Sequence, residues 1–168
     1  MTRVDKVTSL YYRTVERLLK LPYRVKGGVN PEIKEKYGLY ISALLPSSFA
    51  IAFQVGKPDP QILLFPEIEP RELLNPEIVI DEVMSCFKIL ESNNPGELKE
   101  KFDDQTYYEN FTGLAKQIAP DGDKVKLVSF TVKRDVNEKP IALRKSKQQL
   151  QQVTDLALVK ESDREKSP

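Results

Sequence analysis

The sequence predicts an α+β fold in which a small antiparallel sheet packs against four to five helices. Three observations favour this fold: an apolar stripe at helical spacing over residues 4–21, two alternating apolar runs at about 37–55, and a further run at 124–133. The length of 168 residues suits one domain with a sizeable core. We therefore expect a single globular domain over residues 1–159, followed by a frayed tail or linker at 160–168.

The first predicted element is an amphipathic helix over residues 4–21. Six apolar residues recur at intervals that place them on one helix face: Val7, Leu10, Tyr11, Val15, Leu18 and Leu19. Pro22 should end this helix, because a proline in a helix interior removes a backbone hydrogen bond and clashes with the preceding turn. A loop containing Gly27 and Gly28 should follow.

The clearest predicted element is an antiparallel hairpin at residues 37–55. Apolar residues alternate along both runs, and Pro46-Ser47-Ser48 between them is typical of a turn. The alternation predicts four buried side chains: Ile41, Phe49, Ile51 and Phe53. Because the intervening positions are also rather apolar, we expect the hairpin to lie centrally, with helices against its faces. The segment resembles a Pro-Gly-Ser-Phe hairpin of bacterial α+β modules, with Ser47 in place of the glycine, and this resemblance implies no site residue.

Prolines and their neighbours delimit the later elements. Residues 56–76 hold too many prolines for a continuous helix and predict an extended wrap. Asn75-Pro76-Glu77 combines an N-cap, a proline at the first helical position and an acid in the first turn, and so predicts a helix to about Ser92. Further helices are expected at 94–102, 104–120 and 144–159. The strand at 124–133 should join the sheet of the hairpin, and residues 140–143 should form an edge strand.

Two residue types that dominate catalytic chemistry near neutral pH are almost missing. The chain has no histidine and one cysteine, Cys86, which excludes Ser-His-Asp and Cys-His arrangements, zinc helices and histidine-ligated haem. Cys86 stands in an apolar run, so we expect it to serve packing. The lack of disulfide pairs and of an N-terminal signal sequence predicts a cytoplasmic protein. No apolar run is long enough to span a bilayer, so we expect no membrane partner.

Charge is unevenly distributed along the chain. Residues 1–58 carry ten lysines and arginines against four acids, whereas residues 59–104 carry four against twelve. Four cations at helical spacing could line one side of the first helix and its end: Arg13, Arg17, Lys20 and Arg24. Tyr12 and Tyr23 lie near enough in sequence to stack on bases, and residues 144–147 add a second basic group. A nucleic-acid-binding domain that uses this first helix is therefore the main alternative function.

Motifs for catalysis are weak, and an unrecognised carboxylate or metal-dependent enzyme is the second alternative. Ser85 and Lys88 match a Ser-x-x-Lys spacing but fall in the middle of a predicted helix. Asp59 and the acids at 67 and 69 resemble a nuclease core that lacks its lysine. Asp121-Gly122-Asp123 is too short for a calcium loop and predicts a solvated turn. We assign no catalytic residue, no cofactor and no metal.

The sequence thus favours a non-catalytic interaction or regulatory domain. Its expected partner is another protein or an adjoining domain of the same polypeptide, since the tail at 160–168 lacks apolar anchors and is typical of a linker. On this interpretation the chain is a module of a larger cytosolic bacterial protein. The positive charges of the first helix would then face an acidic surface of the partner or of the chain itself.

Overall fold

A computed structural model describes residues 2–45, 50–55, 74–132 and 140–155, without the side chains of residues 41–45, 50–52, 54 and 55. The α+β prediction is confirmed. The described helices and strands follow in the order α1 (Arg3–Leu18), α2 (Pro31–Lys36), β1 (Leu39–Leu45), β2 (Ala50–Val55), α3 (Pro76–Glu91), α4 (Glu97–Glu100), α5 (Gln105–Ile118), β3 (Val128–Phe130), β4 (Ile141–Leu143) and α6, which occupies residues 147–155.

The chain divides into two compact units. Unit 1 comprises residues 1–10 and 82–168, and unit 2 comprises residues 11–81. The division falls inside α1 and α3, so each of these helices contributes residues to both units. One domain can contain two such units, and the single domain predicted over residues 1–159 stays a prediction.

The core of unit 2 is built on the apolar face of α1. Tyr11, Tyr12 and Val15 are buried there with residues of α2, the segment after it and α3: Ile33, Tyr37 and Val79. The rings of Tyr11 and Tyr12 meet edge to face, with centroids 5.3 Å apart. The apolar stripe predicted from the sequence therefore does face a core, although the helix itself ends earlier than expected.

Helix α2 is an element that the sequence interpretation missed. Asn30 caps it, because its side-chain oxygen accepts the N–H of Glu32 at 3.0 Å, and Pro31 occupies the first turn. This is the same N-cap, proline and acid combination that predicted α3 at residues 75–77. The helix is only six residues long, too short to produce a visible apolar period.

The hairpin is present, but its register is interrupted. β1 and β2 pair antiparallel, with Ile41 opposite Phe53 and Ala43 opposite Ala52, so Ser42 is an extra residue in β1. Such a bulge shifts the pairing by one residue, and the strict alternation that predicted the buried face does not continue through it. Phe53 is half-buried, whereas the side chains of Ile41, Phe49 and Ile51, and the turn at 46–48, lie outside the described residues.

Aromatic rings hold the centre of unit 1. Phe87 of α3 stacks on Phe130 of β3, with centroids 4.9 Å apart and planes at 10°, and it also meets Phe111 of α5 at 5.7 Å. Phe102 contacts both Phe111 and Tyr108. Cys86, the residue before Phe87 in α3, is fully buried, as a packing role requires.

The strand at 124–133 differs from its prediction. Its ordered part is β3, which pairs antiparallel with β4, Phe130 opposite Ile141 and Val128 opposite Leu143. Over the described residues it forms a two-stranded sheet with β4, rather than joining the hairpin's sheet as expected. The physical reason is order along the chain: β4 is the next described strand, beginning eleven residues after Phe130, and strands that are consecutive in sequence usually pair. The predicted segments 56–73, 133–139 and 160–168 lie outside the described residues.

Candidate interaction site

Helix α1 ends at Leu18 rather than at Leu21, because Lys20 adopts a left-handed conformation. Its φ is 57°, and its N–H donates to the Arg17 carbonyl at 2.9 Å while the N–H of Leu21 donates to the Glu16 carbonyl at 3.0 Å. These two bonds form a Schellman motif, which satisfies the last carbonyls of a helix and usually places glycine where Lys20 stands. The chain therefore leaves α1 in a defined direction, and the helix ends four residues before Pro22.

A buried ion pair on the last turns of α1 fixes the segment that follows. Arg13 Nη1 lies 2.9 Å from Glu16 Oε2, and the side chains of Arg13 and Glu16 are 11% and 2% exposed. The other Glu16 oxygen accepts the N–H of Asn30 at 3.0 Å, and Arg13 Nη2 donates to the Arg24 carbonyl at 3.2 Å. Both charges thus have partners, as buried charges require.

Tyr23 completes this arrangement. The Arg13 guanidinium lies over its ring, 4.3 Å from the centroid, a cation–π contact that strengthens when it is shielded from water. Residues 19–30 are therefore held at Tyr23, at the Arg24 carbonyl and at Asn30 by one turn of α1. We call residues 19–30 the basic loop.

The outer part of the basic loop is solvent-exposed and carries both charge and apolar surface. Val25 is 82% exposed, and Arg24 and Lys26 on either side of it are exposed as well. Gly27 and Gly28 follow with φ of 85° and 68°, a region that favours glycine over every other residue. A Cβ on Gly27 would lie 3.2 Å from Arg24 Nη2, so this glycine also leaves room for the arginine.

The four cations that were predicted to bind nucleic acid differ in exposure and in their contacts. Arg13 is bound to Glu16, Tyr23 and the Arg24 carbonyl, whereas Lys20 and Arg24 are exposed and Arg17 is half-buried. Tyr12 is buried and its hydroxyl accepts the N–H of Leu39 at 2.9 Å. Binding of nucleic acid by these four residues stays a prediction, but Arg13 and Tyr12 already have structural partners.

Sequence reasoning missed Glu16, Asn30 and Val25. Glu16 interrupts the basic stripe in the sequence, yet it lies four residues after Tyr12 and three before Leu19, on the apolar face. An acid on an apolar face is a signal for a buried ion pair. Nothing in the sequence distinguishes Val25 from a core valine.

One cation of the second basic group, Lys145, is bound to other residues of the chain. Lys145 Nζ donates to the carbonyls of Leu90 and Ser92, at 2.6 and 2.8 Å, and its backbone N–H donates to Glu91 Oε1 at 3.0 Å. Lysine at this position satisfies the unpaired carbonyls at the end of α3. Arg144 and Lys147 are exposed.

A serine and a lysine do meet in unit 1, although not the pair with motif spacing. Ser85 Oγ lies 3.0 Å from Lys101 Nζ, and the same ammonium lies 3.0 Å from Glu82 Oε2, whereas Lys88 is exposed. A lysine that donates to a carboxylate and to the hydroxyl is not placed to accept the proton of that hydroxyl. The cluster therefore ties α3 to the segment after α4.

Asp121 forms the predicted turn. One of its carboxylate oxygens accepts the N–H groups of Asp123 and Val125, at 3.0 and 2.9 Å. These bonds, chiefly that from Val125, together with the Arg3 guanidinium at 3.1 Å, lower the pKa of Asp121 to about 2. Within the described part of the chain, no group of three or more acidic or cysteine side chains is placed to hold a metal ion.

The Tyr11 hydroxyl is the one buried side-chain polar atom for which the described residues provide no hydrogen-bond partner. Burial, and then the neighbouring Tyr12 and Tyr37, raise the pKa of Tyr11 above its ordinary value. Burial raises the pKa of Tyr37 also. The hydroxyls of Tyr11 and Tyr37 therefore stay neutral at physiological pH and contribute no charge to the site.

Comparison with known proteins provides no relative for this chain. No protein-family model, no curated protein and no solved structure matches it. A separate observation concerns membranes: none of the described helices is both long enough and apolar enough to cross a bilayer. The interpretation of the basic loop therefore depends on its geometry alone.

Proposed function

We propose that the chain is a non-catalytic, cytoplasmic protein-interaction domain that binds its partner through exposed apolar side chains of unit 2. The observation that carries this proposal is Val25, 82% exposed in a loop that is fixed on both sides by a buried ion pair. An isolated exposed apolar residue is common on protein surfaces. A fixed loop does not have to be ordered on binding, so the exposed aliphatic side chain that it presents can contribute contact area at a lower entropic cost.

Two further residues of unit 2 support the same proposal. Tyr40 is 60% exposed and Ile78 is 53% exposed. The ring of Tyr40 lies across the backbone of Gly38, where a Cβ would approach its Cε2 to 2.6 Å, so glycine at position 38 permits this placement of the ring. Tyrosine and isoleucine at a surface contribute contact area that a protein partner can bury.

The test cross-links two variants of the protein to their partners in native lysate. The captured proteins are then identified by mass spectrometry. Val25→Ser, Tyr40→Ser and Ile78→Ser together remove the three side chains, and Leu127→Ser, at a residue 52% exposed in unit 1, is the matched control. Surface changes of this kind usually alter stability by less than about 0.5 kcal/mol, which circular dichroism can verify. We expect the triple variant to lose a defined cross-linked protein that the control retains. Recovery of the same cross-linked protein by the triple variant and by the control in equal amounts would contradict the proposal.

Nucleic-acid binding through the basic loop is the second candidate. The loop contains three cations, Lys20, Arg24 and Lys26, and no acid, a composition that favours phosphate contacts. Against it stand the two tyrosines, one buried and one covered by Arg13, because single-stranded nucleic acids are bound largely by stacking on exposed aromatic rings. Binding of an oligonucleotide that weakens steeply with salt and requires Arg24 would favour this candidate.

A further inference from the structure

The charge of the basic loop is not neutralised by its nearest acid. Glu16 is 1% exposed and its two oxygens are bound to Arg13 and to the N–H of Asn30. The described residues provide no ion pair for Lys20, Arg24 or Lys26. As far as the described residues extend, the loop therefore presents positive charge that no acid pairs with, and a ligand with negative charge would be attracted to it.

The shape of the loop is fixed before any ligand arrives. The bonds from Arg13 to the Arg24 carbonyl and from Asn30 to Glu16 hold both sides of its outer part, and the Schellman motif at Lys20 fixes its beginning. A ligand would consequently not have to order these backbone atoms on binding, which lowers the entropic cost of association.

Val25, in the exposed part of the basic loop, indicates which kind of anionic ligand fits the loop. Val25 stands between Arg24 and Lys26, so two cations flank one aliphatic group. The phosphate groups of a nucleic acid offer no apolar surface to cover Val25, whereas a polypeptide can offer carboxylates and an aliphatic side chain together. Charge complementarity combined with this apolar contact therefore favours a protein ligand over a nucleic acid.

We infer that the basic loop binds an acidic polypeptide segment in which carboxylates flank an aliphatic or aromatic side chain that packs on Val25. The inference rests on the proposed function, since it names the partner class and the surface for that interaction. In it, Arg24 and Lys26 pair with the carboxylates and Val25 supplies the apolar contact.

The experiment uses selection from a random peptide library displayed on phage, with the full chain as the target, followed by affinity measurement on the selected peptides. Arg24→Glu with Lys26→Glu reverses the loop charges, and Val25→Ser removes the apolar contact. The chain offers a close control: Lys124-Val125-Lys126 has the same pattern, with both lysines exposed but Val125 half-buried. Lys124→Glu with Lys126→Glu therefore makes the same change in net charge outside the loop.

We expect selected peptides to be enriched in Asp and Glu on both sides of an apolar residue. Their affinity should fall at least about tenfold on reversal of Arg24 and Lys26 and several-fold in Val25→Ser, should change less than about twofold in the control, and should weaken as salt rises.

Three outcomes would overturn the inference. Selected peptides without acidic residues that depend on Tyr40 and Ile78 would leave the proposed function standing and remove only the loop as its surface. Selected peptides that bind the Arg24→Glu, Lys26→Glu variant as tightly as the unmodified protein would also show that the loop is not the binding surface. No selected peptide, together with binding of a single-stranded oligonucleotide that is lost on reversal of Arg24 and Lys26, would overturn both the inference and the proposed function.

Discussion

The hydroxyl of Tyr12 accepts a hydrogen bond from the backbone N–H of Leu39 at 2.9 Å, which fixes the first residue of β1 to α1. The preceding residue, Tyr11, is equally buried, yet its hydroxyl has no partner among the described residues. Of these two adjacent buried tyrosines, one thus has a hydrogen-bond partner for its hydroxyl, whereas the described residues provide none for the other.

The two tyrosines should respond oppositely to loss of the hydroxyl. Tyr12→Phe leaves the Leu39 N–H without its acceptor and should lower the free energy of unfolding by about 1 to 3 kcal/mol. Tyr11→Phe removes an unpaired buried hydroxyl and should leave that free energy unchanged or raise it by up to about 2 kcal/mol. Urea unfolding of both variants measures the difference, and a larger loss for Tyr11→Phe than for Tyr12→Phe would contradict the assignment.

The Arg13–Glu16 pair should be strongly coupled. Arg13→Met leaves the Glu16 carboxylate buried without its cation, which should cost about 3 to 5 kcal/mol. A double-mutant cycle with Glu16→Gln should give a coupling energy above about 1 kcal/mol. The exposed pair Arg3–Asp121, with each side chain 41% exposed, is the control, and its coupling should be weaker. Equal coupling in the two pairs would refute the buried role of Arg13.

Glycine at position 20 should stabilise the protein. Lys20 has a φ of 57°, which strains a residue with a Cβ, and Lys20→Gly should raise the free energy of unfolding by about 0.5 to 1 kcal/mol. Lys6→Gly, in the interior of α1, should instead lower it by about 1 kcal/mol. Thermal and urea unfolding test both signs, and a destabilised Lys20→Gly would exclude the left-handed helix end.

The turn at Asp121 should contribute stability that depends on pH. Its folded-state pKa, lowered to about 2, lies below the unfolded value, so the contribution is complete above the unfolded pKa of about 3.9 and is lost as the pH falls through the folded pKa. Asp121→Asn should accordingly have a lower thermal midpoint than the original protein at pH 7, and the difference should narrow as the pH falls from about 4 to 2. A constant difference across this range would show that the carboxylate charge is not involved.

The elements that could be predicted from the sequence are those marked by a repeated apolar pattern or by capping residues at a helix start. Asn75-Pro76-Glu77 begins α3 as expected, and Asp104 caps α5 through the N–H of Thr106 at 2.7 Å. The hairpin at 39–55 was visible from its alternation. These predictions were correct because the physical cause lies within a few residues of the chain.

The rest depended on contacts between residues distant in sequence or on backbone states that leave no trace in composition. A lysine, not a glycine, takes the left-handed position after α1, and the bulge at Ser42 has no marker in the sequence. The basic stripe could be read from spacing, but the capture of Arg13 by the Arg24 carbonyl, eleven residues away, could not. Helix α2 is a different case. Its start signal at Asn30 is present in the sequence, but the helix is too short to show an apolar period.

Arg13 and Glu16 lie on a single turn of α1, and between them they hold the Arg24 carbonyl and the Asn30 N–H. The two anchor points of the intervening segment are therefore set by the helix and do not depend on how many residues connect them. Lengthening a flexible connection adds only about 0.6 kcal/mol of closure entropy for each doubling. A short epitope inserted between Gly27 and Gly28 would thus project outward while the core of unit 2 kept its packing, which makes this position suitable for a reporter tag.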